Sequence, residues 1–292
     1  MPTTYTAYTK LGSQEAAEAL GEAMESLDPE PTGVGVFEIE DGSGTWEVGG
    51  YFLAPPDDIE LTLLARAFDA SDFVVSKVPD TDWVDKVRRE LTPVVAGRFF
   101  VYGSHDADKI PDDSEPLLIE AAMAFGTGHH GTTQGCLEAL DRLASGGFEG
   151  RNVADIGCGT AVLAMGAARI WPGAVVASDI DAVAVEVAQA NVDANGLDGR
   201  VTCLEATGFD HPDLAARAPF DLVFANILKQ PLIDLAPAMA AHLAPGGYAI
   251  LSGLLTRQVD EVVEAYDAAG IALLRRDTIG DWATLTLQKR GI

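Results

Sequence analysis

The sequence predicts an α/β protein. It should hold a Rossmann-like parallel sheet closed by an antiparallel hairpin, preceded by a small α+β domain of ferredoxin-like build. Three observations carry this. Residues 152–181 read strand, glycine turn, helix, strand, acid, the layout of a nucleotide-binding βαβ unit. Strands and helices go on alternating after it and end in two consecutive strands. The first 80 residues read βαββαβ, a split-βαβ arrangement.

In chain order, Tyr5 to Leu11 reads as a strand and Ser13 to Ser26 as a helix, with Ser13 as N-cap and apolar or Ala positions at helical spacing. Gly33 to Glu40 alternates as a half-buried strand does. The cluster Asp41-Gly42-Ser43-Gly44 turns the chain into its hairpin partner, Thr45 to Leu53. Asp57 to Phe68 reads as a helix and Phe73 to Val78 as a fourth strand. This part carries no histidine, cysteine or glycine-rich ligand loop, which points to an interaction module. Residues 81–116 read as a linker: a helix from Trp83 to Leu91 closed by Pro93, a strand from Gly97 to Val101, and a polar, proline-punctuated loop from Asp106 to Pro116. The expected division is therefore 1–80, 81–116 and 117–292.

Within the last part, the glycine-rich stretch from Phe125 to Thr133 runs into a helix expected over Thr132 to Leu143. Then come a strand carrying Asp155, a helix from Thr160 to Ile170, a strand leading to Asp179, and a helix from Ala182 to Asn195 closed by Gly196. Val201 to Leu204, Phe220 to Phe224 and Tyr248 to Leu254 read as further strands. Helices over Pro231 to Leu243 and Gln258 to Ala269 alternate with them. Ile271 to Arg276 and Trp282 to Gln288 pair around Gly280-Asp281.

Composition narrows the function. The 292 residues suffice for two domains, and 48% hydrophobic with 22% charged residues is the balance of a globular protein. No run approaches the roughly 18 apolar residues of a membrane span, and the N-terminus has neither the basic start nor the apolar stretch of a signal peptide. Cys136, Cys158 and Cys203 lie far apart without a C-x-x-C, and read as buried small residues of a reducing compartment, the cytoplasm. A net charge of −26 repels phosphates and anionic membranes. It argues against nucleic acid or membrane partners and is compatible with a basic protein partner; a monomer is expected.

The glycine turn also says which nucleotide to expect. A dinucleotide fingerprint requires glycine at 162, where this chain has Val162. Asp155 stands two residues before Gly157, where it would repel a pyrophosphate and suit a cationic ligand end. S-adenosylmethionine, with its ammonium and sulfonium, meets that requirement. Asp179, past the second strand, is placed to accept ribose hydroxyls, and Glu205 reads equally as an acid approaching an adenine edge or as a solvated loop acid. Asn226 ends a strand where its amide oxygen could accept a hydrogen from an incoming amine. The adjacent His129 and His130 invite a metal hypothesis. His105, His211 and His242 do not complete a ligand set at motif spacing, so the glycines there read better as a loop closing over a ligand.

D-x-G-x-G over 155–159 resembles the first motif of the S-adenosylmethionine-dependent methyltransferases, which usually have a third glycine where this chain has Ala161. Together with A-F-G-T-G-H-H-G-T-T (124–133), S-D-I-D (178–181), A-N-I-L (225–228) and L-S-G-L-L (251–255), the chain resembles the ribosomal protein L11 methyltransferases (PrmA). Similar stretches run through residues 82–84 and 93–101. The resemblance implies a class I methyltransferase sheet and a first domain that recognises the ribosomal protein. It implies transfer of methyl groups from S-adenosylmethionine to lysine ε-amines and the N-terminal α-amine of L11. Carried over by motif, Thr133, Gly157, Asp179 and Asn226 fall on cofactor-contacting positions, with Phe125, Thr127, Asp155 and Gly159 beside them and Asn226 as the catalytic residue. Lys229, directly after A-N-I-L, would disfavour a cationic substrate unless it points away. Other amine substrates, or a binding module without catalysis, are the alternatives the residues leave open.

Overall fold

A computed structural model describes residues 4–24, 26–31, 33–38, 44–78, 93–119 and 130–291. The expected helix over 83–91 and most of the 41–44 turn lie outside them. The chain forms two compact units, Met1–Val87 and Arg88–Ile292.

The first unit runs β1 (Thr4–Leu11), α1 (Gln14–Met24), β2 (Gly33–Glu38), β3 (Trp46–Phe52), α2 (Asp58–Ala67) and β4 (Val74–Val78). Its strands pair antiparallel in the order β2-β3-β1-β4, as a βαββαβ chain requires. Ser13 Oγ accepts from the Ala16 N–H, and Asp57 accepts from the N–H groups of Ile59 and Glu60, so both helices start on side-chain caps. One face of the sheet buries Ala7, Leu11, Val48 and Phe52 against Leu20, Met24 and Leu61 of the helices. Alternation sends Tyr8, Tyr51 and Phe37 to the other face. There Tyr8 donates to the Tyr51 hydroxyl at 2.7 Å, and its ring lies over Gly49, where a side chain would collide with it.

The second unit is built on a seven-stranded sheet ordered β10-β9-β8-β11-β12-β14-β13. Its strands are β8 (Asn152–Ile156), β9 (Ala174–Asp179), β10 (Val201–Glu205), β11 (Phe220–Asn226), β12 (Leu243–Leu255), β13 (Ile271–Ile279) and β14 (Trp282–Lys289). β8 to β12 run parallel and β14 closes antiparallel between β12 and β13. Helices cover both faces. On one lie α3 (His130–Ser145), α4 (Val162–Ile170) and α5 (Ala182–Ala194). On the other lie α6 (Pro212–Arg217), α7 (Lys229–His242) and α8 (Val259–Ala268). Both faces are apolar, so β11 buries Leu222, Val223, Phe224 and Ala225 in succession.

Residues 93–118, read above mostly as linker, pack into this unit. Val94–Ala96 (β5), Phe99–Tyr102 (β6) and Glu115–Leu118 (β7) form a separate three-stranded sheet, with Gly97-Arg98 as a hairpin turn and a 3₁₀ helix over Ser104–Lys109. Ala96, Phe99, Val101 and Leu117 share the core of α3 and α4. Arg98 pairs with Asp141 of α3, and the Asn195 side-chain amide takes both backbone groups of Leu118, at 3.0 and 2.7 Å. That amide satisfies an edge strand as another strand would.

The turn between β8 and α4 needs left-handed backbone at alternate residues: Gly157 at φ +72°, Gly159 at φ +52° and Ala161 at φ +60°. Ala161 is fully buried, so the small residue there keeps the packing, but the resemblance's preference for glycine has a backbone origin. A left-handed alanine costs about 1–2 kcal/mol, offset by about 0.8 kcal/mol for the methyl it buries. Ala161→Gly should therefore shift unfolding free energy by less than about 1 kcal/mol. Ala161→Val, β-branched at a positive φ, should cost about 2 kcal/mol or more. Urea denaturation of the two variants checks this.

Candidate functional site

The carboxyl ends of β8, β9 and β11 carry the side chains expected to act, and the sheet order puts these strands side by side. Asp179 is the junction. Its Oδ2 accepts from the Gly159 N–H at 2.9 Å and its Oδ1 from the Asp181 N–H at 3.1 Å. One carboxylate thus fixes the glycine turn after β8 and the start of α5 after β9. The N–H groups of Gly157 and Cys158 both donate to the Ser178 carbonyl, at 2.8 and 2.9 Å. Asn191 of α5 adds a buried bond to the Thr160 carbonyl at 3.2 Å.

Two adjoining cavities open on this frame. The smaller, about 240 Å³, is lined by Thr132, Thr133, Asp155, Gly157, Gly159 and Asn226, among others. The larger, about 930 Å³, includes Asp179, Ile180, Ala206 and Thr207. Gly157, Ile227 and Leu228 line both. A side chain at Gly157 would run into Ile227, and one at Gly253, also on the smaller cavity, into the Ile227 backbone. Glycine at these two positions therefore lets Ile227 pack closely at the boundary of the cavities. Ile180 and Leu228, 68% and 70% exposed, present apolar surface to the larger cavity, suited to a flat ligand such as a base.

Of the residues expected from sequence, Thr133, Asp155, Gly157, Gly159 and Asn226 meet around the smaller cavity, and Asp179 faces the larger. Phe125, Thr127 and His129 lie outside the described residues, as does the His130 side chain. Glu205 lines neither cavity; it is exposed at the end of β10, and the next two residues, Ala206 and Thr207, take the place expected for it. Thr132, Ile180, Leu228 and Gly253 were not singled out. An isoleucine directly after the strand-end acid was a usable signal for Ile180. Lys229 points away: its Nζ pairs with Glu261 of α8 at 3.0 Å and it lines neither cavity. It leaves a cationic substrate unopposed. Burial holds the Cys136 and Cys158 thiols far above their usual range, so neither is a nucleophile at neutral pH.

A family model described as ribosomal protein L11 methyltransferase (PrmA) matches residues 15–290. The chain belongs to this family. A ribosomal protein L11 methyltransferase from Bradyrhizobium diazoefficiens is 44% identical over 293 residues, 99% of this chain and 98% of that one. One from Agrobacterium fabrum is 40% identical over 279 residues, 94% and 95% of the two chains. The crystal structure of a ribosomal protein L11 methylase from Lactobacillus delbrueckii subsp. bulgaricus superposes with a TM-score of 0.58 at 24% identity. It covers 68% of this chain and 96% of that chain, and shares the fold. The PrmA family membership makes the chain a methyltransferase.

Asp155 is a buried acid. It is 1% exposed; Oδ2 accepts from the Ala164 N–H of α4 at 3.0 Å, and among the described residues Oδ1 has no partner. Burial raises its pKa to about 7, the Ala164 N–H opposing this and the Asp179 charge adding to it. The folded protein then binds a proton that the unfolded chain, with a carboxyl near 3.8, has lost. The contribution to stability is full below about pH 4 and declines as pH rises to about 7. Asp155→Asn removes the titration. Urea denaturation without ligand should show wild type losing stability relative to the variant between pH 4.5 and 7.5, and a constant difference above.

Proposed function

We propose that this protein is an S-adenosylmethionine-dependent N-methyltransferase that modifies lysine ε-amines and the N-terminal α-amine of ribosomal protein L11 in the cytoplasm. The observation that carries the proposal is Asn226: a side-chain amide at a parallel-strand end, on the cavity floor, beside an acid-bearing glycine turn. Curated L11 methyltransferases at 40–44% identity over nearly the full chain support the substrate.

The residues present fit the cofactor. The buried Oδ1 of Asp155 at the smaller cavity, without a partner among the described residues, suits an ammonium group. Both Asp179 oxygens accept a backbone N–H yet keep a lone pair each for ribose hydroxyls. Ile180, Ala206, Thr207 and Leu228 offer a slot for adenine, and Gly157 and Gly159 let the backbone come close. Thr133, 5% exposed, adds a hydroxyl. When bound, S-adenosylmethionine supplies a methyl group activated by its sulfonium.

The chain's own contribution is to bind, desolvate and aim the amine. Asn226 Oδ1 accepts an amine hydrogen and so directs the nitrogen lone pair into the cavity. Deprotonating a lysine of pKa ~10.4 at neutral pH costs roughly 4.6 kcal/mol, small against the roughly 8–23 kcal/mol that enzymes supply. Desolvation and a neighbouring cationic charge lower that cost, so the mechanism needs no dedicated base. The first unit serves recognition: its sheet face opposite α1 and α2, with Phe37, Tyr8 and Tyr51, is an aromatic platform, and the chain's −26 charge favours a basic protein such as L11.

Intact mass of L11 after incubation with the protein and S-adenosylmethionine should rise in steps of one methyl group. Asn226→Ala should slow those steps by about 100-fold while retaining measurable cofactor affinity. No mass gain with wild type, alongside intact cofactor binding, would refute the substrate assignment.

A further inference from the structure

We infer that Ile227 is a positioning residue: seated between two glycines, it fixes Asn226 against the turn that follows β8. The inference rests on the catalytic reading of Asn226 above. A side chain that guides an amine into line with a methyl group has to stand within about 0.5 Å of its productive place. Asn226 is the last residue of β11, in register with Ser252 of β12. The pairing of the two strands ends there, so the place of Asn226 depends on what holds the residue after it.

Ile227 is held on two sides. A Cβ at Gly253 would fall on the Ile227 carbonyl oxygen, 2.7 Å from its carbonyl carbon and 3.0 Å from its nitrogen. The Ile227 backbone therefore lies directly on Gly253, where β12 shifts register against β14 and passes through φ +83°. Glycine takes that angle without steric cost. β12 is tied down at this point, since Ser252 Oγ donates to the Ala283 carbonyl of β14 at 2.8 Å. On the other side, a Cβ at Gly157 would overlap Ile227 Cγ2. The γ2 methyl thus occupies the space that glycine leaves in the turn. That turn is fastened independently, by Asp179 and by the Ser178 carbonyl. Ile227 spans from a fixed turn to a fixed strand, and it lines both cavities. The seat calls for branching at Cβ. Valine keeps a γ methyl at that place, leucine carries its branch one carbon further out, and alanine has neither.

The test uses the full chain, with L11 and S-adenosylmethionine as substrates. Ile227→Leu and Ile227→Ala should each lower kcat by about tenfold, with KM for L11 and the S-adenosylmethionine Kd within about threefold of wild type. Ile227→Val should keep kcat within about threefold. The deciding arm is the Asn226→Ala background, where Ile227→Leu should change kcat by less than about twofold. Equal losses in both backgrounds, Ile227→Leu as active as Ile227→Val, or a loss carried by the cofactor Kd overturns the inference. Methyl NMR gives a readout independent of turnover. The Ile227 γ2 methyl should show contacts to the Gly157 Hα protons in wild type, kept by the valine methyl in Ile227→Val; their absence in wild type also overturns it. If wild type leaves L11 unmodified while those contacts are present, the substrate reading fails, and the same kcat pattern is required on a lysine peptide. No transfer to either acceptor overturns the positioning role together with the catalytic reading of Asn226.

Discussion

The Asp179 carboxylate is the constraint on which the site depends. Its two oxygens, bonded to the Gly159 and Asp181 N–H groups, join the turn after β8 to the turn after β9. Each turn departs from regular backbone. The first runs through left-handed backbone at 157, 159 and 161, and the second must pass at once from strand into helix. Charge-assisted bonds to backbone N–H groups are worth roughly 1.5–3 kcal/mol each. That exceeds the roughly 1–2 kcal/mol cost of the left-handed alanine at 161. The strained turn is thus held by an acid whose remaining lone pairs face the larger cavity. Structure and the proposed recognition of ribose draw on the same group.

Two carboxylates within one motif play opposite parts. Asp179 is half-buried and bonded through both oxygens, while Asp155 is buried with one oxygen unpartnered among the described residues, and burial raises its pKa. An unpaired buried acid is unfavourable in the free protein. A cationic ligand end would relieve it, so the feature that weakens the free protein strengthens its selectivity for the proposed cofactor. The same economy appears at Lys229, which the ion pair with Glu261 turns away from the cavities.

Much of this was legible in the sequence, because the relevant chemistry is local. The glycine turn, the strand-end acid and Asn226 are each signalled by a few adjacent residues. The sheet order follows from alternating strands and helices and a final strand pair. What escaped depended on partners distant in the chain. The sheet over 94–118 is made of strands of three or four residues, one containing Pro116, and its edge is completed by Asn195, 77 positions away. α6 is only six residues long and had no periodicity to read. Glu205, open to either an adenine edge or solvent because it ends a strand, is exposed, and the cavity is lined one residue later. Thr132 was invisible as a partner of Asn226 because 94 residues separate them. The glycine preference at 161 looked like packing until the backbone angle gave its cause.

The most direct measurement is titration calorimetry of S-adenosylmethionine into wild type and Asp179→Ala. If one carboxylate both shapes the turn and receives the ribose, wild type binds and the variant loses at least about 100-fold in affinity, with circular dichroism showing the sheet retained. Binding within a few-fold of wild type in the variant would contradict the account. The glycine turn would then be holding its shape, and its ligand, without the acid placed here at the centre of the site.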